Sequence, residues 1–307
     1  MAQNSNDGFP VVIEGGGSLP DYMTAQKTVL DERLVKNGAI LFRGFGVVTA
    51  SDFDAAVASY GEASFTYAES LSNAVRVNVT ERVFTANEAP PQTSIFLHHE
   101  MAQTPIYPSK LFFFCEIAAE EGGATPICRS DILLEQLRAQ HPALVAEFAA
   151  KGVRYTNVMP PTDDAGSGQG RSWRSTLNVD SRDAAETRLG SLDYEWQWQA
   201  DDSLRATTPV LDAIRTLDDG REVFFNQLIA AFRGWQDARN NPSKAISFGD
   251  GTPIAADDMA VAITLSDALT YDLQWRAGDV VLLDNFLVMH GRRPFVGKRR
   301  VLASLIS

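Results

Sequence analysis

Two histidine-bearing segments, far apart in the chain, restrict the possible folds more than any other feature. His98-His99-Glu100 closes a strand-like run, and His290 follows the apolar run Val280-Val281-Leu282-Leu283, 192 positions after His98. On a strand, residues i and i+2 share a face, so His98 and Glu100 can reach one ion while His99 points away. Pairing His99 with His290 instead would put Glu100 on the opposite face and lose the carboxylate. Two imidazoles and one carboxylate are the ligand set of a non-haem iron(II) facial triad, with positions left open for a co-substrate and oxygen. For these residues to share an ion, a late strand must return beside an early one, which the Greek-key connections of a jelly roll accomplish. Taken alone, each histidine reads equally as a packed residue. The fourth histidine, His141, precedes Pro142 and reads as a helix boundary.

At 307 residues, 45% hydrophobic and 21% charged, the chain has the composition of a globular enzyme with a sizeable core. Apolar runs such as Leu111-Phe112-Phe113-Phe114-Cys115 are strand-sized, too short to cross a bilayer. Met1 to Asp7 is polar and lacks a leader pattern, and Cys115 and Cys128 have neither metal nor redox spacing. A cytoplasmic protein with two buried free thiols is the expectation. The net charge of -12 argues against nucleic-acid binding and against docking on a broad acidic partner.

Periodicity predicts helices over 21–37, from Ser51 or Asp52 as cap to about Tyr60, over 131–150 with a break at His141-Pro142, and near 182–190 and 256–269. Strands are expected at 39–45, 75–79, 95–100, 110–117, 124–128, 153–159, 193–198, 222–227 and 271–276, and again after Gly278. The Pro/Gly/Ser/Asp-rich stretch 160–172 reads as a loop long enough to serve as a lid. No linker divides the chain. The pattern predicts one domain over 1–307, mostly β, with a helical and loop insertion at about 130–270 between the ligand-bearing strands.

A series of segments, in order, resembles a known family. They include Gly38-Ala39-Ile40-Leu41-Phe42-Arg43-Gly44-Phe45, His98-His99-Glu100-Met101, Gly122-Gly123-Ala124-Thr125-Pro126-Ile127, Phe248-Gly249-Asp250-Gly251-Thr252-Pro253, Trp275-Arg276-Ala277-Gly278-Asp279 and Asp284 to Arg300. The chain is similar to the iron(II)/2-oxoglutarate-dependent dioxygenases of the TauD/TfdA superfamily, and within it to the clavaminate-synthase-like and syringomycin-type amino-acid hydroxylases. The resemblance implies a double-stranded β-helix (jelly roll) and an enzyme using Fe(II), 2-oxoglutarate and O2. It implies His98, Glu100 and His290 as iron ligands, Thr125 as a hydrogen-bond partner of the co-substrate's distal carboxylate, and Arg300 as the arginine that pairs with it. A planar fork of donors suits a carboxylate, although Arg300 by itself also reads as a surface charge beside Lys298 and Arg299. Two positions depart from relatives: Ser304 stands where some carry a second arginine, and Gln103 where many carry an aromatic.

The resemblance further implies hydroxylation of an unactivated C–H of an amino acid or its derivative in a specialised-metabolite pathway. Desaturation or cyclisation, and a substrate tethered to a carrier protein, are the alternatives. Glu100 argues against halogenation, since related halogenases lack the carboxylate. The acidic surface favours a free small molecule, because carrier proteins are themselves acidic; a homo-oligomer is left open. Arg293 is the first candidate to grip a substrate carboxylate, followed by Arg171 and Arg174, with Gln103 on the pocket wall. A binding module, or a metal enzyme without 2-oxoglutarate, would not need Thr125 and Arg300 together.

Overall fold

Residues in the central strands are apolar on both faces, so the main sheet must be covered on both sides. In the computed structural model, which describes residues 8–66, 70–72, 76–86, 89–164, 170–234 and 245–307, this sheet has six strands. Their order is Val11–Glu14, Ala39–Arg43, Val280–Asp284, Lys110–Ile117, Arg300–Ile306 and Phe84–Thr85. Successive residues of Lys110–Ile117 serve two cores. Phe112 and Phe114 pack with the helices Leu19–Asn37 and Ala50–Ser59, while Leu111, Phe113 and Cys115 face the interior. Opposite that inner face stands a four-stranded sheet ordered Tyr271–Leu273, Thr125–Arg129, Val288–Arg292 and Ile95–His98. The two sheets form the jelly-roll frame anticipated from the resemblance.

Local chemistry sets the helix ends. The Ser18 hydroxyl accepts the Asp21 N–H, and the helix from Leu19 stops at Gly38, whose φ of 80° suits glycine and whose N–H donates to the Leu34 carbonyl. A Cβ there would also meet Val288 Cγ2 at 2.5 Å, so the stop doubles as a close approach between layers. The next helix is capped by Thr49 rather than Ser51 or Asp52. Thr49 and Asp52 form a reciprocal capping box, which puts Asp52 inside the first turn.

The chain leaves the smaller sheet after Thr125–Arg129 and re-enters it as the adjacent strand, Tyr271–Leu273. The intervening segment carries helices and its own antiparallel sheet, ordered Ile246–Phe248, Val153–Met159, Leu204–Thr207 and Glu195–Trp198. Helices Ser130–Gln140, Pro142–Lys151, Leu228–Gly234 and Ala256–Leu269 bury the outer face of the smaller sheet through Leu97, Cys128 and Met289. Several expected strands are curtailed: 95–100 ends at His98, which leaves Glu100 in a turn and not on the strand, and 271–276 ends at Leu273. Over 222–227 only Glu222–Val223 is strand; Asn226 accepts the Leu228 N–H and donates to the Ala213 carbonyl, so a side-chain turn starts a helix instead. Over 75–79 there is only an isolated bridge from Asn78 to Phe84, and Val75 lies outside the described residues. So does the centre of the 160–172 loop; its flanks are joined by the Asp164 N–H donating to the Gly170 carbonyl.

One buried side chain ties the turn after Val280–Asp284 to the segment after Ile95–His98. Asn285 accepts the Glu100 N–H at 2.7 Å and donates to the carbonyls of Glu100 at 3.0 Å and Pro108 at 2.8 Å. Asn285→Ala leaves three buried backbone groups without partners, so a loss of about 3 kcal/mol is expected in urea unfolding. A loss under about 1 kcal/mol would show that water substitutes for the amide.

Candidate active site

His98 ends the edge strand of the smaller sheet, and His290 lies directly opposite it on the neighbouring antiparallel strand. Their ring centroids are 4.4 Å apart. Glu100 follows two residues later, where Asn285 has captured its backbone. Its Oε2 lies 3.4 Å from His290 Nε2 and 4.0 Å from His98 Nε2. One donor atom from each of the three residues falls within 4.8 Å of the others. His98 Nδ1 faces the Phe96 carbonyl at 2.8 Å, which assigns its proton there and turns the Nε2 lone pair toward the cluster. His99 points away and is wholly buried, with Nδ1 against the Asn285 carbonyl.

Burial pulls the His98 imidazole down to about 4, with His290 adding to the effect, so it is neutral at ordinary pH. Burial would raise Glu100, but the Arg76 guanidinium and the two imidazoles override it and hold the carboxyl well below the usual range. Two imidazole nitrogens and one anionic oxygen converging on one point suit a divalent cation of the iron type.

Arg76 is the residue that sequence reasoning missed. Its Nη2 lies 2.7 Å from Glu100 Oε1, and the two side chains are only 8% and 5% exposed. One carboxylate oxygen is thus tied to arginine, leaving the other to face the histidines. No motif marks Arg76, and only three-dimensional proximity reveals it.

Two cavities meet at the cluster. The smaller, about 60 Å³, is lined by His290, Thr125, Arg292, Arg299 and Phe113 among others. The Thr125 hydroxyl accepts from Trp275 Nε1 at 2.9 Å, so its own proton remains available to donate. Arg292 spends its guanidinium on the carbonyls of Ala89, Pro90 and Thr93. Arg299 donates through Nε to the Gly123 carbonyl; burial, with Arg292 adding, pulls it down to about 10, still a cation at neutral pH.

Arg300, expected in the clamp, is not in this cavity. Its side chain is 45% exposed and pairs with Glu116 at 2.6 Å. Strand Arg300–Ile306 turns Val301 and Ala303 inward, which leaves Arg300 outside and carries Arg299 to the cavity. The larger cavity, about 250 Å³, borders His98 and Glu100 on the other side and includes Gln103. The other substrate candidates lie elsewhere. Arg293 pairs with Asp272 at 2.8 Å; Arg171 binds the Ser72 and Ser175 carbonyls; Arg174 lies over the Trp173 ring and donates to the Pro161 carbonyl.

Removing Arg76 isolates a buried carboxylate. Arg76→Met should destabilise the chelator-treated protein by about 3–5 kcal/mol in urea. Saturating Mn(II) should recover much of that loss, because a bound cation replaces the missing charge. An equal loss with and without metal would sink the idea that Glu100 faces the ion.

Comparison with known proteins agrees with this geometry. The model of the family described as taurine catabolism dioxygenase TauD, TfdA matches residues 6–305. A clavaminate synthase-like protein of Arabidopsis thaliana is 42% identical over 281 residues, covering 91% of this chain and 84% of that protein. The dapdiamide synthesis protein DdaC of Enterobacter agglomerans is 30% identical over 296 residues, covering 90% and 84%. Among solved structures, PvcB from Pseudomonas aeruginosa has the same fold, with a TM-score of 0.56 at 14% identity over 96% of this chain and 84% of that one. The chain belongs to the TauD, TfdA family and is a non-haem iron dioxygenase that depends on 2-oxoglutarate.

Proposed function

We propose that His98, Glu100 and His290 hold iron(II), and that the smaller cavity receives the distal carboxylate of 2-oxoglutarate between Arg299 and Thr125. The larger cavity takes the substrate, an amino acid or amino-acid derivative that is hydroxylated at an unactivated C–H. The observation that carries this reading is the placement of the two-imidazole, one-carboxylate cluster between a cation-bearing cavity and a larger, mostly apolar one. With iron bound, one atom of O2 goes to the substrate as hydroxyl and the other to succinate, formed as 2-oxoglutarate loses CO2.

The chain's own residues perform the rest. Arg299 supplies a partly buried fork of donors for a carboxylate, and Thr125, its lone pair engaged by Trp275, adds a hydroxyl donor. Arg76 keeps Glu100 ionised and one of its oxygens occupied. His98, held neutral, needs no proton loss before it can coordinate. Phe113 and Val301 line the co-substrate side with apolar surface that keeps water from the ion pair formed there. The enzyme acts as one catalytic unit over 1–307, with the segment of about 130–270 as a substrate-side insertion. Its free, buried Cys115 and Cys128 fit a cytoplasmic setting. The relative DdaC, named for dapdiamide synthesis, supports a place in specialised metabolism.

The test is succinate formation from 2-oxoglutarate with iron(II), ascorbate and air. Arg299→Gln is expected to raise the KM for 2-oxoglutarate at least tenfold, since a charge-assisted pair contributes about 1.5–3 kcal/mol. Arg300→Gln should change it less than about twofold, as expected for an exposed pair. The reverse ranking would return the clamp to Arg300.

A further inference from the structure

Two segments singled out in the sequence meet beside the smaller cavity. Arg43, from Gly38-Ala39-Ile40-Leu41-Phe42-Arg43-Gly44-Phe45, and Asp279, from Trp275-Arg276-Ala277-Gly278-Asp279, form a two-pronged ion pair. Arg43 Nε lies 2.9 Å from one carboxylate oxygen and Nη2 lies 2.6 Å from the other, with the Asp279 side chain 1% exposed. Both members also hold backbone. Arg43 Nη2 donates to the Gln274 carbonyl at 3.1 Å, and the Asp279 carboxylate accepts the Arg276 N–H at 2.8 Å. The residues on either side of Trp275 are thus each bonded to one half of the pair. The same turn is pinned to the main sheet at Cys115: the Gly278 N–H donates to the Cys115 carbonyl, and the Cys115 N–H donates to the Asp279 carbonyl, both at 2.9 Å.

Trp275 connects this brace to the cavity. Leu273 pairs with Thr125 across the smaller sheet, and two residues later Trp275 Nε1 donates to Thr125 Oγ1 at 2.9 Å. A threonine hydroxyl has one proton and two lone pairs, and it rotates to donate or to accept as its surroundings demand. An indole N–H can only donate. It therefore occupies a lone pair of Thr125 and turns the hydroxyl proton away from itself. Thr125 lines the smaller cavity, so its rotor is set there in the donor role. An acceptor, such as a carboxylate oxygen, is the group that matches a hydroxyl held this way.

We infer that Trp275, braced by the Arg43–Asp279 pair, is a positioning residue for the co-substrate, holding the Thr125 hydroxyl as a donor to its distal carboxylate. This rests on the smaller cavity being the 2-oxoglutarate site proposed above. Trp275 acts through Thr125 and not through the metal ligands, so its influence is confined to compounds that reach the hydroxyl.

A double-mutant cycle read by binding tests it. Full-length protein loaded with Mn(II) is titrated by calorimetry with 2-oxoglutarate and, separately, with oxalate, which chelates the metal but has no distal arm. Trp275→Phe keeps an aromatic ring and deletes the donor. It should weaken 2-oxoglutarate about fivefold, as expected for one hydrogen bond, and leave oxalate within about twofold. Arg43→Lys leaves the indole in place and keeps a cation beside Asp279 but loses the fork; it gives a second route, with an expected loss of about threefold for 2-oxoglutarate alone. Thr125→Val removes the hydroxyl, and in that background both substitutions should change 2-oxoglutarate affinity by less than about twofold. Unchanged 2-oxoglutarate affinity in Trp275→Phe overturns the inference. So does a loss that persists undiminished beside Thr125→Val, or an equal loss for oxalate. Failure of the unmutated Mn(II)-loaded protein to bind 2-oxoglutarate while it binds oxalate overturns the proposed co-substrate site itself.

Discussion

The cross-strand pairing of His290 with His98 is the contact on which the site depends. Ile95–His98 is the edge of the smaller sheet, so the chain beyond His98 is free to leave the ladder and carry Glu100 back toward the same ion. The strands fit closely because Gly291 lacks a side chain: a Cβ there would meet the Ile95 carbonyl oxygen at 2.3 Å. Asn285 then holds Glu100 by its backbone, and Arg76 holds it by one carboxylate oxygen. Each of these features satisfies a polar group that burial would otherwise leave stranded, so the geometry of the cluster and the stability of the loop rest on the same bonds.

Electrostatics divide the two cavities that share this cluster. On one side Arg292 lies close enough to lower the affinity of Arg299 for a proton, and no described acid besides Glu100 lines that space. Arg292 is committed to three carbonyls and braces the segment 89–93, so Arg299 is the guanidinium with capacity for an incoming anion. On the other side, the described lining residues carry no charge apart from the Arg76–Glu100 pair. Arg76 lines both cavities, at the boundary between them.

What the sequence revealed, and what it hid, follows from this arrangement. The clustering of His98, Glu100 and His290 was legible from ligand chemistry and spacing, although Glu100 lies in a turn past the strand end and not on the alternating strand that the spacing suggested. The helices over 19–37, 50–59 and 256–269 were legible from periodicity and stop signals. Arg299 was not, because Arg300–Ile306 is buried on both faces and its apolar run gives no sign of which neighbour points inward. Arg76 had no signal at all. Arg171 was suggestive as a cation near a lid-like loop, yet its donors are taken by main-chain carbonyls, a use that composition does not distinguish from ligand binding.

The substrate was the least legible feature for a topological reason. Thr125–Arg129 and Tyr271–Leu273 are paired neighbours, so the whole segment between them loops out of the smaller sheet and returns to the next position without disturbing the cluster. The closure entropy of such a loop rises only slowly with its length. Its length and content are therefore nearly independent of the frame's stability. About half of the larger cavity's described wall comes from this excursion, including Tyr155, Met159, Thr176, Leu189 and Gln227. Of the proposed ligands and candidate co-substrate residues, His98, His290 and Thr125 lie on strands of the frame, where pairing dictates position. Frame residues are readable by spacing because the sheet imposes a period on them. Wall residues drawn from several helices and a separate sheet have no common period, and only folding brings them to one surface.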